Sequence, residues 1–105
     1  QSGLTQDEID RILNEAESQR DEDDQRRELA SLINRAETLL YTTKQSLEAY
    51  GEKLESEDIQ LIEHDMTELR TALDQNNLDG LEELFKALEV SAYRIAEALY
   101  GTSQS

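Results

Sequence analysis

Apolar residues recur along this chain at steps of three and four, the spacing of one face of an α-helix. The first stripe is short and consists of Ile9, Ile12, Leu13 and Ala16. A longer second stripe comprises Leu29, Leu32, Ala36, Leu39, Thr43, Leu47 and Tyr50. Stripes of this kind are typical of helices that bury one face against neighbouring helices.

Two further helices are predicted in the second half of the chain. One should begin after Ser56, with the stripe Ile59, Ile62, Met66, Leu69 and Leu73. The other should be capped by Asn77, end at Gly101, and bury Leu81, Leu84, Phe85, Leu88, Ala92, Ile95 and Leu99. Because the connections are short, we predict an antiparallel three-helix bundle over residues 29 to 101. Residues 102 to 105 are expected to form a polar tail.

Between the first two stripes lie twelve consecutive residues without an apolar side chain, Glu17 to Glu28. Glu22 and Arg26, and likewise Asp23 and Arg27, are spaced i,i+4 with the acid first, which favours a helix. Neither glycine nor proline occurs in this stretch, although a charged disordered linker would have a similar composition. We predict that residues 1 to 28 form an exposed helical arm, and we allow for a kink near residues 19 to 22.

The start of the first helix carries a specific local signal. Thr5 is a candidate N-cap, and Glu8 follows three residues later, which completes the pattern of a capping box. Proline is absent and only four glycines occur in the 105 residues, so long helices are not interrupted. The fold class predicted from these patterns is all-α, with a long helical arm that leads into the three-helix bundle.

The composition restricts the function. Twenty-five acidic residues against ten basic ones give a net charge of −15, which would repel nucleic acids and anionic membranes. There is no cysteine, and no apolar run approaches the roughly 20 residues that span a bilayer. We therefore expect neither a nucleic-acid nor a membrane partner. A cytoplasmic location is a separate expectation, since the absence of cysteine does not fix a compartment.

Residues that could support catalysis or metal binding are few. His64 is the single histidine, and Glu68 lies one helical turn beyond it, but a metal site needs three or four converging ligands. A solvated histidine on a polar face is the simpler interpretation. Because the chain also has no glycine-rich phosphate loop, we predict no catalytic residues, no metal and no cofactor for it.

A second face of the long helix mixes polar and aromatic residues at helical spacing: Ala30, Asn34, Glu37 and Tyr41. Glu37 and Tyr41 could form hydrogen bonds with a partner, which would make this face a docking surface. A solvated flank with one incidental tyrosine explains the pattern equally well.

The segment "SGLTQDEIDRILNEAES" closely resembles the start of the helical lid in the seventy-kilodalton heat-shock chaperones of the DnaK type. The resemblance continues through "NRAETLLYTTKQSLEAYGEKL" and "LRTALDQNNLDGLEELFKALEV" and covers nearly the whole chain. The opening motif is specific to that family, whereas the later segments resemble it mainly in their order and spacing.

This resemblance implies a role within a larger protein. An ATPase domain that binds ATP and Mg²⁺, a linker and a β-sandwich with a peptide groove would precede residue 1. The arm would lie over the β-sandwich subdomain, and unfolded clients and cochaperones would be partners of the whole chaperone. In the DnaK type, an acid and a histidine of this helix latch onto loops of the β-sandwich. These positions fall on Glu37 and Tyr41, so tyrosine here replaces the histidine.

The leading hypothesis is accordingly the lid of a chaperone that binds unfolded polypeptide during protein folding and heat stress. The lid would close over bound peptide and slow its release. The alternative is a free-standing acidic helical adaptor that binds a partner through an exposed helix stripe. Separated from its partner domain, the stripe of Ile9, Ile12, Leu13 and Ala16 would face water, so we also expect a dimer formed through it.

Overall fold

The computed structural model describes residues 3 to 101, which form three α-helices. Helix α1 covers Gln6–Tyr50, α2 covers Ser56–Asp74 and α3 covers Leu81–Tyr100. A single 3₁₀ turn, Gly51–Lys53, follows α1. The predicted all-α class is confirmed, since no strand occurs between residues 3 and 101. The predicted polar tail, residues 102 to 105, lies outside the described residues.

The chain divides into two compact units. The N-terminal unit ends at Ser31 and the C-terminal unit begins at Leu32. The boundary falls within the sequence of α1, so α1 contributes residues to both units.

The N-terminal unit begins with the predicted capping box. The Thr5 amide donates to Glu8 Oε1 over 2.9 Å, and the Glu8 amide donates to Thr5 Oγ1 over 3.2 Å. These two reciprocal bonds satisfy amides that have no partner within the helix. The capping-box prediction is confirmed.

The polar stretch from Glu17 to Glu28 is helical and every residue of it is exposed. Its ion pairs join residues about one turn apart: Arg26 Nη1 lies 3.0 Å from Asp23 Oδ1, and Arg27 Nη2 lies 2.6 Å from Asp24 Oδ1. The predicted partner of Arg27 was Asp23, so that pairing is wrong by one residue. The helix continues without interruption through residues 19 to 22, which excludes the linker interpretation for this structure.

The apolar core of the C-terminal unit is formed by side chains from residues 32 to 50 of α1 and from α2 and α3. Its buried apolar residues are Ala36, Leu40, Ile62, Leu69, Ala72, Leu81, Phe85, Leu88 and Ile95. Most of them lie on the predicted stripes. On α1, however, Leu40 is buried whereas the predicted Leu39 is only half-buried, and Tyr50 is exposed.

The width of the α1 surface that packs against other helices explains why the predicted stripe on this helix was partly wrong. Arg70 of α2 and Phe85 of α3 both approach α1, so this helix contacts two neighbours at once. The part of the α1 surface that these two neighbours cover is therefore wider than a single stripe of residues spaced three and four apart. A single stripe cannot include both Leu39 and Leu40, which lie on opposite sides of that surface.

The turn between α2 and α3 also differs from the prediction. Asn76 has a positive φ of 55°, its amide donates to the Leu73 carbonyl, and the Asn77 amide donates to the Ala72 carbonyl. These bonds are those of a Schellman motif, so Asn77 closes α2 and does not cap α3. Gly80 is the N-cap of α3, with a φ of 74° that glycine adopts without strain.

Candidate functional site

The predicted docking residue Glu37 forms a two-pronged ion pair with Arg70 of α2. Arg70 Nη1 donates to Glu37 Oε1 over 2.8 Å, and Nη2 donates to Oε2 over 3.0 Å. Both side chains remain accessible, with exposed fractions of 48% for Glu37 and 44% for Arg70. The pair thus lies at the rim of the core, beside the buried residues Ala36 and Leu69.

Arg70 is held on its other side by Asp74. Its Nε donates to Asp74 Oδ1 over 3.1 Å, and its Nη2 lies 3.0 Å from the same oxygen. The site is consequently a row of two carboxylates with one guanidinium between them, and its net charge is −1. Guanidinium–carboxylate pairs with two parallel bonds are among the more directional interactions in proteins.

The ion pair changes the titration of both partners. Hydrogen bonding from Arg70, together with its positive charge, holds the pKa of Glu37 below its ordinary value. The same contact with Glu37, assisted by Asp74, raises the pKa of Arg70 above its ordinary value. The Glu37 carboxylate is therefore charged at neutral pH, in the form that can accept further hydrogen bonds.

Tyr41, the second predicted docking residue, follows Glu37 by one helical turn and is 62% exposed. Gln45 Nε2 donates to its hydroxyl oxygen over 2.8 Å. This bond occupies the phenol as an acceptor and leaves its hydrogen free to be donated outward. Tyr41 therefore complements Glu37, since one side chain can donate where the other accepts.

A shallow groove of about 510 Å³ lies between α1 and α2 at this site. Apolar atoms dominate its lining, which comprises Glu37, Leu40, Tyr41 and Lys44 from α1 and Met66, Thr67, Arg70 and Thr71 from α2. The groove could hold a side chain of a partner, with Glu37 and Tyr41 at its mouth for polar contacts. This combination is typical of sites that recognise protein segments.

The rest of the predicted docking face is not part of this groove. Asn34 lines a different depression of about 330 Å³, next to Phe85 of α3. Ala30 belongs to the N-terminal unit and is exposed. Only Glu37 and Tyr41 of the four predicted residues therefore share one groove in the C-terminal unit.

The second predicted surface, the stripe in the N-terminal unit, is exposed. Ile9, Ile12 and Leu13 are 36%, 51% and 60% exposed, and Ala16 is exposed as well. Three large aliphatic side chains within two helical turns form an apolar patch that a protein partner could cover.

Residues with metal-binding potential remain dispersed. His64 and Glu68 are both exposed on α2. Between residues 3 and 101, no three histidine, cysteine, aspartate or glutamate residues come close enough to hold a metal ion. Nor is any helix in this part of the chain both long and apolar enough to cross a membrane.

The sequence pattern did not identify Arg70 as a site residue. Its i,i+4 spacing to Asp74 was visible, but its contact with Glu37 joins residues 33 positions apart. A second pair of this kind, Arg94 Nη1 to Asp58 Oδ1 at 2.7 Å, ties α3 to the start of α2. Both pairs depend on how the helices pack, which local spacing does not specify.

Comparison with known protein families shows a match over most of the chain. The family model described as Hsp70 protein matches residues 1 to 101, which is nearly the entire chain.

Proposed function

This chain belongs to the Hsp70 protein family, a family of molecular chaperones, and we propose that it is the helical lid of the substrate-binding domain. The lid closes over the peptide groove of a β-sandwich subdomain and slows the release of unfolded polypeptide. The all-helical structure and the resemblance of the opening motif to the lid of the DnaK type support this assignment.

The observation that carries the proposal is the placement of Glu37 and Tyr41. They lie one turn apart at the mouth of one groove, both are accessible, and their free hydrogen-bonding capacities are complementary. These are the positions at which the DnaK-type lid carries its latching acid and histidine. A tyrosine hydroxyl keeps the capacity for a hydrogen bond at that position, although it replaces the ring nitrogens of histidine.

The exposed stripe of the N-terminal unit has a matching role in this proposal. Ile9, Ile12 and Leu13 would rest on the β-sandwich subdomain of the same chaperone, which would remove them from water. The stripe supplies apolar contact area, while Glu37 and Tyr41 supply directional bonds at the groove.

The chemistry that drives the lid would reside elsewhere in the chaperone. ATP and Mg²⁺ are bound by the nucleotide-binding domain that the family resemblance implies, and hydrolysis there permits closure. The lid residues would contact the β-sandwich subdomain and cover its peptide groove, and they would take part in no bond-breaking step. Client polypeptides and cochaperones would then be partners of the whole chaperone, which we place in the cytoplasm. A closed lid acts mainly on the dissociation rate, because peptide leaves only when the lid opens.

The double substitution Glu37→Ala with Tyr41→Phe in the full-length chaperone tests the proposal. Losing one charge-assisted hydrogen bond of about 1.5–3 kcal/mol should speed peptide release roughly tenfold to a hundredfold. Release of a fluorescent peptide in the ADP state is the measurement. Thermal unfolding of the helices should show that the double variant and its control remain folded.

Glu48→Ala with Tyr50→Phe is the matched control, since it removes an acid and a phenol hydroxyl from the same helix outside this groove. Release should be unchanged in this control. Unchanged release in the Glu37 and Tyr41 variant as well would mean that the face is only solvated and that the latch assignment is wrong.

A further inference from the structure

We infer that Arg70 is a positioning residue for the latch, because it fixes the Glu37 carboxylate in one orientation at the mouth of the groove. The inference rests on the proposed function of Glu37 and extends it to a residue on another helix. In consequence, the affinity of the lid for its partner domain would depend on α2 as well as on α1.

The geometry of the ion pair supports a positioning role. Two parallel bonds of 2.8 and 3.0 Å fix the plane of the carboxylate as well as its position. A single contact would leave the Glu37 side chain free to rotate among several conformers, because glutamate has three flexible torsions. The two-pronged contact selects one conformer before any partner arrives.

Arg70 is itself held in place, so it can serve as a fixed reference. Asp74 receives a hydrogen bond from Nε over 3.1 Å and lies 3.0 Å from Nη2. All three guanidinium nitrogens are thereby engaged, and Asp74 and Arg70 lie one turn apart on the same rigid helix. The orientation of Glu37 is thus determined by α2.

Glu37 keeps the capacity to bind a partner while it is paired. A carboxylate has about four acceptor positions, and Arg70 uses one on each oxygen. Nearly half of the side chain is open to solvent, and the row of Glu37, Arg70 and Asp74 has a net charge of −1. A cationic or N–H donor of the partner domain can therefore be attracted to Glu37 without displacement of Arg70.

The opposite role, in which Arg70 competes with the partner for Glu37, predicts an effect of opposite sign. A competitor would weaken the latch, so its removal would slow peptide release. A positioning residue strengthens the latch, since the Glu37 side chain loses little conformational freedom on binding. Immobilising one such side chain in advance should be equivalent to about a two- to tenfold change in dissociation rate.

The test is the release of a labelled peptide from the full-length chaperone carrying Arg70→Ala, Arg70→Lys, or either change combined with Glu37→Ala. We expect Arg70→Ala to speed release about two- to tenfold. Arg70→Lys should lie between, because lysine keeps the charge but not the two parallel bonds. When Glu37 is already alanine, Arg70→Ala should cause no further change.

Arg94→Ala is the matched control for a merely structural effect. It removes an interhelical ion pair that does not involve Glu37, and Arg94 is about as exposed as Arg70. Release should be unchanged in this control. Slower release in Arg70→Ala, an equal effect in Arg94→Ala, or an effect that persists without Glu37 would each overturn the inference.

A second measurement on the chain itself separates this inference from the proposed function. Side-chain NMR of Glu37 should show one dominant conformer in the unmodified chain and conformational averaging in the Arg70→Lys variant. If Glu37→Ala leaves peptide release unchanged, the proposed latch fails even where NMR shows an ordered Glu37. If Glu37→Ala speeds release but the Glu37 side chain is equally mobile in the Arg70→Lys variant and in the unmodified chain, only the positioning role fails.

Discussion

Residues 6 to 31 and residues 32 to 100 are both largely helical, but different interactions stabilise the helix in each. In the N-terminal unit every residue from Gly3 to Glu28 is exposed. The hydrogen bonds and ion pairs of its side chains join residues three or four positions apart. Between residues 32 and 101, nine apolar side chains are buried, and two of the ion pairs join residues more than thirty positions apart. Helical structure in the first is a local property, and in the second it is a property of packing.

The free energies of these interactions differ between the two units. A capping residue contributes about 0.5–2 kcal/mol, and an i,i+4 ion pair about 0.2–0.5 kcal/mol, to a helix of marginal stability in isolation. One fully buried leucine alone contributes about 1.5–3 kcal/mol. The N-terminal unit should therefore open locally and often, whereas the C-terminal unit should unfold cooperatively.

The same leucine-to-alanine change in the two units gives the largest expected contrast. Leu88 is completely buried, so Leu88→Ala should lower the free energy of unfolding by about 2–5 kcal/mol. Leu13 is 60% exposed, and Leu13→Ala should change it by less than about 0.5 kcal/mol. Urea unfolding followed by circular dichroism measures both. Similar losses in the two variants would contradict the contrast between local and packed helix.

The same difference between local interactions and packing explains how much of each unit could be predicted from the sequence. Local signals were sufficient for the N-terminal unit, where Thr5 and Glu8 form the predicted capping box. Apolar spacing also identified most of the core of the C-terminal unit. It missed Ser91, which is buried with its hydroxyl bonded to the Leu88 carbonyl, because a polar residue does not register in an apolar stripe.

The candidate site could be predicted only in part. Glu37 and Tyr41 are proposed as docking residues from the face they share and from the family resemblance, and both line one groove. Arg70 was not identified, because its contact with Glu37 depends on how α2 packs against α1 and not on any sequence spacing. Polar residues that reach a site from a second helix are therefore not revealed by the spacing of residues along the sequence.

The exposed stripe provides a second way to test the comparison. We propose that the isolated chain forms a dimer through Ile9, Ile12 and Leu13, and that salt strengthens it by screening the net charge of −15 on each chain. These side chains are partly covered by their own helix, so each should contribute about 1 kcal/mol on association. Ile12→Gln with Leu13→Gln removes four such side chains from a dimer of identical chains, so it should weaken the dimer by about 4 kcal/mol, or roughly a thousandfold.

Analytical ultracentrifugation at low and high salt is the measurement for that proposal. Val90→Gln with Tyr93→Gln is the matched control, since both residues are exposed apolar positions on α3. The control should associate like the unmodified chain. A dimer that the α3 changes disrupt, or a monomer at millimolar concentration in high salt, would show that the N-terminal stripe is not the interface.

The smallest expected effect concerns the cap of α1. Thr5→Ala removes the hydroxyl that accepts from the Glu8 amide, so local opening of the first turn should become easier by about 1 kcal/mol. Amide exchange near Glu8 and Ile9 should accelerate about fivefold, while the Leu88 amide should be unaffected. Thr67→Ala is the control, because the Thr67 hydroxyl only donates to the Glu63 carbonyl within α2 and alanine is the better helix former. Faster exchange at Leu88 in the Thr5 variant would mean that the two units unfold together, and the distinction between them would be lost.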